Sequence, residues 1–255
     1  MLHLEQNPEK QQYAEWLLKV GHGTNSVDGK VHYLDSMKSE PNSVEGLINS
    51  VYPTIQVPGT ATDNYLLDHT VLCPRNEEVN SINAKVTERF PGEVRTYLSA
   101  DTVETPGDEL SPYLIEFINS VNASSLPLHK LELKGCPIML MWNLSPSEGL
   151  CNGTRLVVTW LDGHIIEACF SFLTETEIPF VLHRRRFSVH LTFATSINKL
   201  QGQYVKVTGI DLQTPVFTHG QLYVALSRRT SAARVNVLFS NDVSESPNIA
   251  FPEIL

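Results

Sequence analysis

Apolar positions recur at helical spacing near the start of the chain, where Tyr13, Trp16, Leu17 and Val20 fall at i, i+3, i+4 and i+7. Asn7 as N-cap, Pro8 in the first helical position and Gly21 as a stop frame that run as a helix. The polar stretch Gly21 to Pro41 predicts a loop. Ser43 is placed to cap a second short helix that buries Leu47, Ile48 and Val51 and ends at Pro53. The apolar run Leu66 to Cys73 predicts a strand, and after Pro74-Arg75 a helix capped by Asn76 aligns Val79, Ile82, Val86 and Phe90. Pro91-Gly92 closes that helix, VRTYL follows as a strand, and SPYLIEFINSV predicts another helix with Leu114, Phe117, Ile118 and Val121 on one side.

The rhythm changes near Leu126. LHKLELKG, PIMLMWNL, GTRLVVTWL and HIIEACFSF are short β-rich runs separated by turn residues, and Asp162-Gly163 is a strong hairpin signal. They predict a small all-β module inserted in the chain. From Arg186 strands and helices alternate: FSVHLTFAT strand, SINKLQG helix, VKVTGIDL strand, HGQLYVALSRR helix and RVNVLFS strand. Alternation of this kind predicts a parallel, doubly wound sheet and an α/β fold class. The expected organisation is a helical entry segment over 1–60, a first part of the α/β domain over 61–125, the β module over 126–180, a second part over 181–240 and a loosely held extended tail over 241–255.

Composition narrows the setting. The 255 residues are 42% hydrophobic and 18% charged, enough for a real core. The charged N-terminus MLHLEQNPEKQQ lacks a signal peptide's apolar run, and no stretch reaches the ~18 apolar residues of a membrane span. An intracellular protein with no membrane partner is expected. Cys73, Cys136, Cys151 and Cys169 stand 63, 15 and 18 residues apart, so no CxxC pair offers a zinc site and free thiols are expected.

Charge is unevenly spread. Phe180 to Ser240 holds eight Lys/Arg against one acid, Asp211, or +7, while the remaining 11 Lys/Arg and 27 acids give -16. A basic segment on an acidic protein points either to a polyanion site or to a solvated face balanced by acids elsewhere.

Parallel sheets bind ligands beyond the carboxyl ends of their strands. In TSINKLQGQY, Thr195 or Ser196, the following amides and Lys199 can meet an anion, and Gly202 permits close approach of a ligand; equally, the segment can be a capped helix with a surface lysine. In HGQLYVALSRR, Gln221 and Arg228 share a helix face that can point toward a neighbouring domain, or Arg228 can simply complement the helix C-terminus.

TFATSINKLQGQ followed by GIDLQTPVFTHGQLYVALSRR closely resembles motifs V and VI of the Pif family of superfamily 1 DNA helicases, and within it the helicases of Helitron transposons. VLCPRNEEVNSINAK resembles motif IV, and QQYAEWLLKVGHGT, FPGEVRTYLSADTV, SSLPLHKLELKG and NLSPSEGLCNGTRLVV extend the likeness over most of the chain. The resemblance implies the second RecA-like domain of a P-loop NTPase with an inserted SH3-like β-barrel, from an enzyme that uses ATP with Mg2+ and moves 5′ to 3′ on single-stranded DNA in the nucleus. It implies a role in DNA repair, recombination or transposon replication.

Carried over by position, Arg228 is the arginine finger. Gly202, Gln203, Gln221 and Arg75 are the nucleotide-binding residues, and Thr195, Asn198 and Lys199 approach the strand. The chain departs from the family at several places. Gly29-Lys30 has Thr24 and Val31 where a phosphate-cradling loop needs glycine and Ser/Thr, so Walker A and B are expected from a first RecA-like domain in cis or in trans, and this chain alone is expected to be inactive. Leu200 and a bulky Tyr204, expected to obstruct nucleotide, replace small or hydroxyl residues; LKGCP is one residue short; Trp142 replaces an arginine; and the span between Phe172 and Pro179 is short. Two further readings stay open: a non-hydrolysing strand-binding module using Arg184 to Arg186, Lys199 and Arg229, and a decayed transposon remnant.

Overall fold

Proline's fixed φ suits the first turn of a helix, and in the computed structural model α1 runs Pro8–Gly21. Residues 8–98, 129–163, 165–169, 180–183, 189–240 and 245–251 are described. After α1 come β1 (Ser26–Val27), β2 (Lys30–His32), α2 (Val44–Val51), α3 (Asp63–Asp68), β3 (His69–Cys73), α4 (Asn76–Arg89), β4 (Arg95–Leu98), β5 (Lys130–Leu133), β6 (Pro137–Leu140) and β7 (Arg155–Asp162). They are followed by β8 (Ile165–Cys169), β9 (Phe180–His183), β10 (Val189–Leu191), β11 (Ala194–Ser196), β12 (Val207–Leu212), α5 (Gln221–Leu226), β13 (Val235–Phe239) and β14 (Glu245–Pro247). Two compact units result: Met1–Arg89 with Thr192–Leu255, and Phe90–Leu191.

The first unit is α/β. Its main sheet has the order β11-β3-β12-β13 with every neighbouring pair parallel. On β12, Ile210 and Leu212 join a buried cluster with Tyr13, Val20, Leu222, Leu226, Val237 and Phe239. Gly209 faces the other way, where a Cβ would stand 2.7 Å from Val51 Cγ2 and 3.1 Å from Leu47 Cδ1. Glycine thus lets α2 lie close on one face while α1 and α5 cover the other. Ser43 Oγ caps α2 by accepting from the Gly46 amide at 3.0 Å, as the sequence implies.

The edge strand β11 is sealed by a side chain. Asn83 of α4 donates from Nδ2 to the Ala194 carbonyl at 3.0 Å and accepts from the Ala194 amide at 2.8 Å. The Tyr52 hydroxyl lies 2.7 Å from the Phe193 carbonyl and 3.1 Å from that of His69, fastening the entry to the same strand.

Four local expectations are corrected. Gly21 to Pro41 is not a plain loop: β1 and β2 form a hairpin over Asp28 (φ 51°) and Gly29 (φ 74°), and Val31, Tyr33 and Met37 are buried. That Asp-Gly turn has both central residues in the left-handed region such a hairpin needs. Nor is the tail loose throughout, since β14 pairs with β2 and Ser246 Oγ lies 2.6 Å from the Tyr33 hydroxyl. Leu66 to Asp68 is helical, because Thr62 caps α3 through the Tyr65 amide and delays the strand to His69. FSVHLTFAT serves two sheets, Val189–Leu191 pairing antiparallel with β6 and Ala194–Ser196 parallel with β3.

The second unit holds an antiparallel sheet in the order β10-β6-β7-β8-β9, with β4 and β5 as a separate pair. The β7–β8 hairpin forms at Asp162-Gly163, and its register shifts between Val158 and Trp160. Tyr97 donates its hydroxyl proton to the Asp162 carbonyl at 2.7 Å. Cys73 and Cys136 are buried free thiols, and burial pushes the Cys136 thiol up to about 12. The helix expected over 111–121, the Phe172 to Pro179 span and Arg184 to Arg186 lie outside the described residues. Among the described residues no helix is long and apolar enough to cross a membrane, and no group of three metal-ligating side chains occurs.

Candidate functional site

Strand β3 ends at Cys73 and hands over to Pro74 and Arg75, and β11 ends at Ser196; both are carboxyl ends of one parallel sheet. Where the sequence predicts a helix over SINKLQG there is one 3-10 turn, Ile197–Leu200. Ile197 and Leu200 are fully buried and anchor the turn, which leaves Asn198 and Lys199 exposed between them. Gly202 then takes φ 85°, a left-handed conformation through which a right-handed helix cannot continue. Surrounding protein lowers the Lys199 pKa through desolvation although the residue is exposed.

Arg228 lies two residues beyond α5 and folds back onto this segment. Its Nη1 donates to the carbonyls of Leu200 and Gln203, both at 3.2 Å, its Nε to the Val224 carbonyl at 2.9 Å, and its Nη2 to Ser227 Oγ at 2.8 Å. A guanidinium carries five N–H donors in a planar fork, and here all its described partners are neutral oxygens. Partial burial lowers its pKa, but a guanidinium stays charged at any physiological pH. The site therefore keeps an orientated cation whose charge no carboxylate among the described residues cancels.

The other candidates are placed less uniformly. Arg75 is exposed, with Cζ 5.8 Å from the Phe217 ring centroid. Gln221 is 2% exposed and turned inward, so it does not share an outward face with Arg228; its Oε1 accepts from the Phe217 amide at 3.0 Å, and its Nε2 is buried without a partner. Thr195 is buried within β11, where it can act on a strand only by positioning Asn198 and Lys199. Direct contacts thus join Arg228 to Leu200 and Gln203, and Arg75 to Gln221 through Phe217. Phe217 and Ser227 were not singled out from sequence, because aromatic and hydroxyl residues in loops carry no periodicity.

The basic segment is less available than its count suggests. Lys206 pairs with Asp68 at 2.7 Å, and Arg229 is buried, donating to the Val205 carbonyl at 2.9 Å. Arg229 is therefore a structural cation, which corrects its assignment to a strand-binding surface. Lys199 and Arg234 remain exposed.

The segment's one acid also has a structural place. Asp211 is buried at the end of β12, its Oδ1 accepting from the Gln213 amide at 3.0 Å, and Thr214 Oγ1 donates to the neighbouring Glu78 at 2.7 Å. Burial raises the Asp211 pKa, Glu78 adds to the rise, and Gln213 and Lys85 oppose it. A carboxyl whose folded pKa is raised stabilises below its unfolded pKa of about 3.9, and that stability is lost as pH rises through the folded value. Asp211→Asn, which keeps the Gln213 contact, is expected to raise the melting temperature at neutral pH, with the advantage fading toward pH 4. Paired melts across pH check this, and a variant less stable at every pH would show that the charge itself is needed.

Residues 116–161 match the family described as DNA helicase Pif1, 2B domain. The ATP-dependent DNA helicase PIF1 of Xenopus laevis is 30% identical over 184 residues, 66% of this chain and 27% of that protein. Among solved structures, Pif1 helicase from Candida albicans shares 20% identity and a TM-score of 0.61, over 96% of this chain and 56% of that one. Pif1 helicase from Bacteroides in complex with ADP-AlF3 and ssDNA shares 17% identity and a TM-score of 0.50, over 97% and 52%. The two structures establish a common fold. With the sequence matches they support a Pif1-family helicase, of which this chain spans about a quarter of the curated relative's length.

Proposed function

We propose that the chain is the C-terminal portion of a Pif1-family ATP-dependent DNA helicase, nearest the Helitron branch, and works as the second RecA-like domain beside a first one supplied in cis or in trans. The observation that carries this reading is Arg228, an uncancelled guanidinium held on the carbonyls of Leu200 and Gln203. Phosphoryl transfer is catalysed by positioning and charge stabilisation more than by covalent chemistry. Arg228 supplies that charge to the γ-phosphate of ATP held by the first domain. Mg2+, bound mainly by the first domain's residues, neutralises phosphate charge when present.

Coupling to DNA runs through the same loop. Arg228 grips Leu200 and Gln203, and Asn198 and Lys199 occupy the turn just before them. Movement of the guanidinium toward phosphate thus pulls on the turn that meets the strand, and cycles of closure become 5′ to 3′ steps. Arg75 joins the phosphates by leaving the Phe217 ring. The cellular setting fitting this activity is nuclear DNA repair, recombination or transposon replication.

The direct test is complementation. The chain alone is expected to show no DNA-stimulated ATP hydrolysis, and mixing or fusing it with a Pif1-type first RecA-like domain is expected to produce it. Absence of turnover in every such pairing overturns the helicase reading in favour of a non-hydrolysing strand binder. Strand affinity is expected to fall as salt rises, and Lys199→Ala to flatten the slope of log K against log[salt] by about 0.7, the value for one phosphate contact on a single strand. An unchanged slope removes Lys199 from the interface.

A further inference from the structure

The geometry points to Tyr204 as a nucleobase-stacking platform, held ready by the two adjacent arginines, Arg228 and Arg229; this rests on the helicase reading above and names a further contact of the same site. Tyr204 is 61% exposed, yet it is firmly placed. The Arg229 guanidinium lies over its ring, 5.6 Å from the centroid, and Arg229 Nη1 donates to the Tyr204 hydroxyl at 3.2 Å as well as to the Val205 carbonyl. Arg229 is only 9% exposed, so the ring rests on a buried base. On the preceding residue, Arg228 holds the Gln203 carbonyl.

Consecutive arginines therefore clamp consecutive residues of one loop, Arg228 on Gln203 and Arg229 on Tyr204 and Val205. The guanidinium occupies one face of the ring, and the exposure of Tyr204 leaves the other to solvent. A pre-ordered aromatic binds without a further cost of immobilising its side chain. Its setting specifies the ligand: the ring stands beside the proposed nucleotide-binding Gly202 and Gln203, on the loop that follows the exposed Lys199 and receives the Arg228 guanidinium. Cations gather phosphates, and an aromatic face among them takes a base attached to those phosphates. Rather than obstructing nucleotide, Tyr204 is drawn aside onto Arg229 and offers its free face. The base belongs either to the bound strand or to ATP.

A competing role is that Tyr204 only shields Arg229, and binding separates the two. Wild type, Tyr204→Phe and Tyr204→Ala, paired with a Pif1-type first RecA-like domain, are titrated with labelled oligo(dT), with an abasic oligonucleotide of the same length and with fluorescent ADP. Stacking predicts that Tyr204→Ala weakens oligo(dT) about 5- to 150-fold, that abasic binding is unchanged and that Tyr204→Phe stays near wild type. A loss confined to fluorescent ADP instead supports stacking on adenine. Equal binding of all three ligands by wild type and Tyr204→Ala, even with a lowered melting temperature, overturns the platform and leaves the helicase reading intact. Failure of wild type to bind any of them overturns both.

Discussion

Arg228→Ala is expected to lower DNA-stimulated ATP turnover by about 10³- to 10⁵-fold once the chain is paired with a first RecA-like domain, while strand affinity changes little. The size follows from what the guanidinium does when the domains meet. It is the one cation in the Leu200 to Gln203 region that is half-buried, orientated by four hydrogen bonds and opposed by no described carboxylate. Its present partners are carbonyls and a hydroxyl, so leaving them for a phosphate exchanges neutral acceptors for a charged one, and charge-assisted bonds are about twice as strong.

Arg228→Lys keeps the charge but cannot reach the Leu200, Gln203 and Val224 carbonyls together, so most of the loss is expected to persist. Because Arg228 also fastens the loop, a melt and an oligonucleotide titration accompany the kinetics. A fall in kcat with binding and melting preserved identifies transition-state charge stabilisation. Near wild-type turnover for Arg228→Ala sinks the assignment.

The parallel sheet was readable in the sequence because strands and helices alternate from Arg186 onward, and α2 because Ser43 precedes a clean apolar face. FSVHLTFAT was not: nothing in its unbroken alternation of apolar and polar residues says that Val189–Leu191 and Ala194–Ser196 join different sheets. Gly21 to Pro41 hid its hairpin because β1 and β2 span two and three residues, too few to establish an alternation. Arg228 was identifiable as a candidate by resemblance, but its partners Leu200 and Gln203 lie 28 and 25 residues upstream, beyond any local pattern. Arg229 and Gln221 looked available in the sequence and are buried, because each turns onto a loop segment that no local pattern announces: Gln221 accepts from the Phe217 amide, and Arg229, beyond the end of α5, donates to the Val205 carbonyl.

Asn83→Ala is expected to destabilise the chain by about 3 kcal/mol, the loss of two buried backbone hydrogen bonds at roughly 1–3 kcal/mol for each group left unmade. β11 is the edge of the parallel sheet, so the amide and carbonyl of Ala194 on the side away from β3 have no neighbouring strand to satisfy them. The carboxamide of Asn83, itself 5% exposed, presents one donor and one acceptor at the required spacing and stands in for a missing strand. Asn83→Asp separates this hydrogen-bonding role from packing. An ionised carboxylate can still accept from the Ala194 amide but turns a second oxygen toward the Ala194 carbonyl, and burial raises its pKa. With the folded pKa raised, stability is present at low pH and lost as pH rises. Asn83→Asp should therefore be less stable than wild type at neutral pH and recover part of the deficit on acidification, whereas Asn83→Ala should not. Since β11 runs directly into the turn carrying Asn198 and Lys199, oligonucleotide affinity is expected to fall in parallel with stability. Urea unfolding at two pH values measures the stabilities and an oligonucleotide titration the affinity, and an Asn83→Ala variant within about 0.5 kcal/mol of wild type, the range of ordinary surface substitutions, would mean that β11 is held by its core side chains alone.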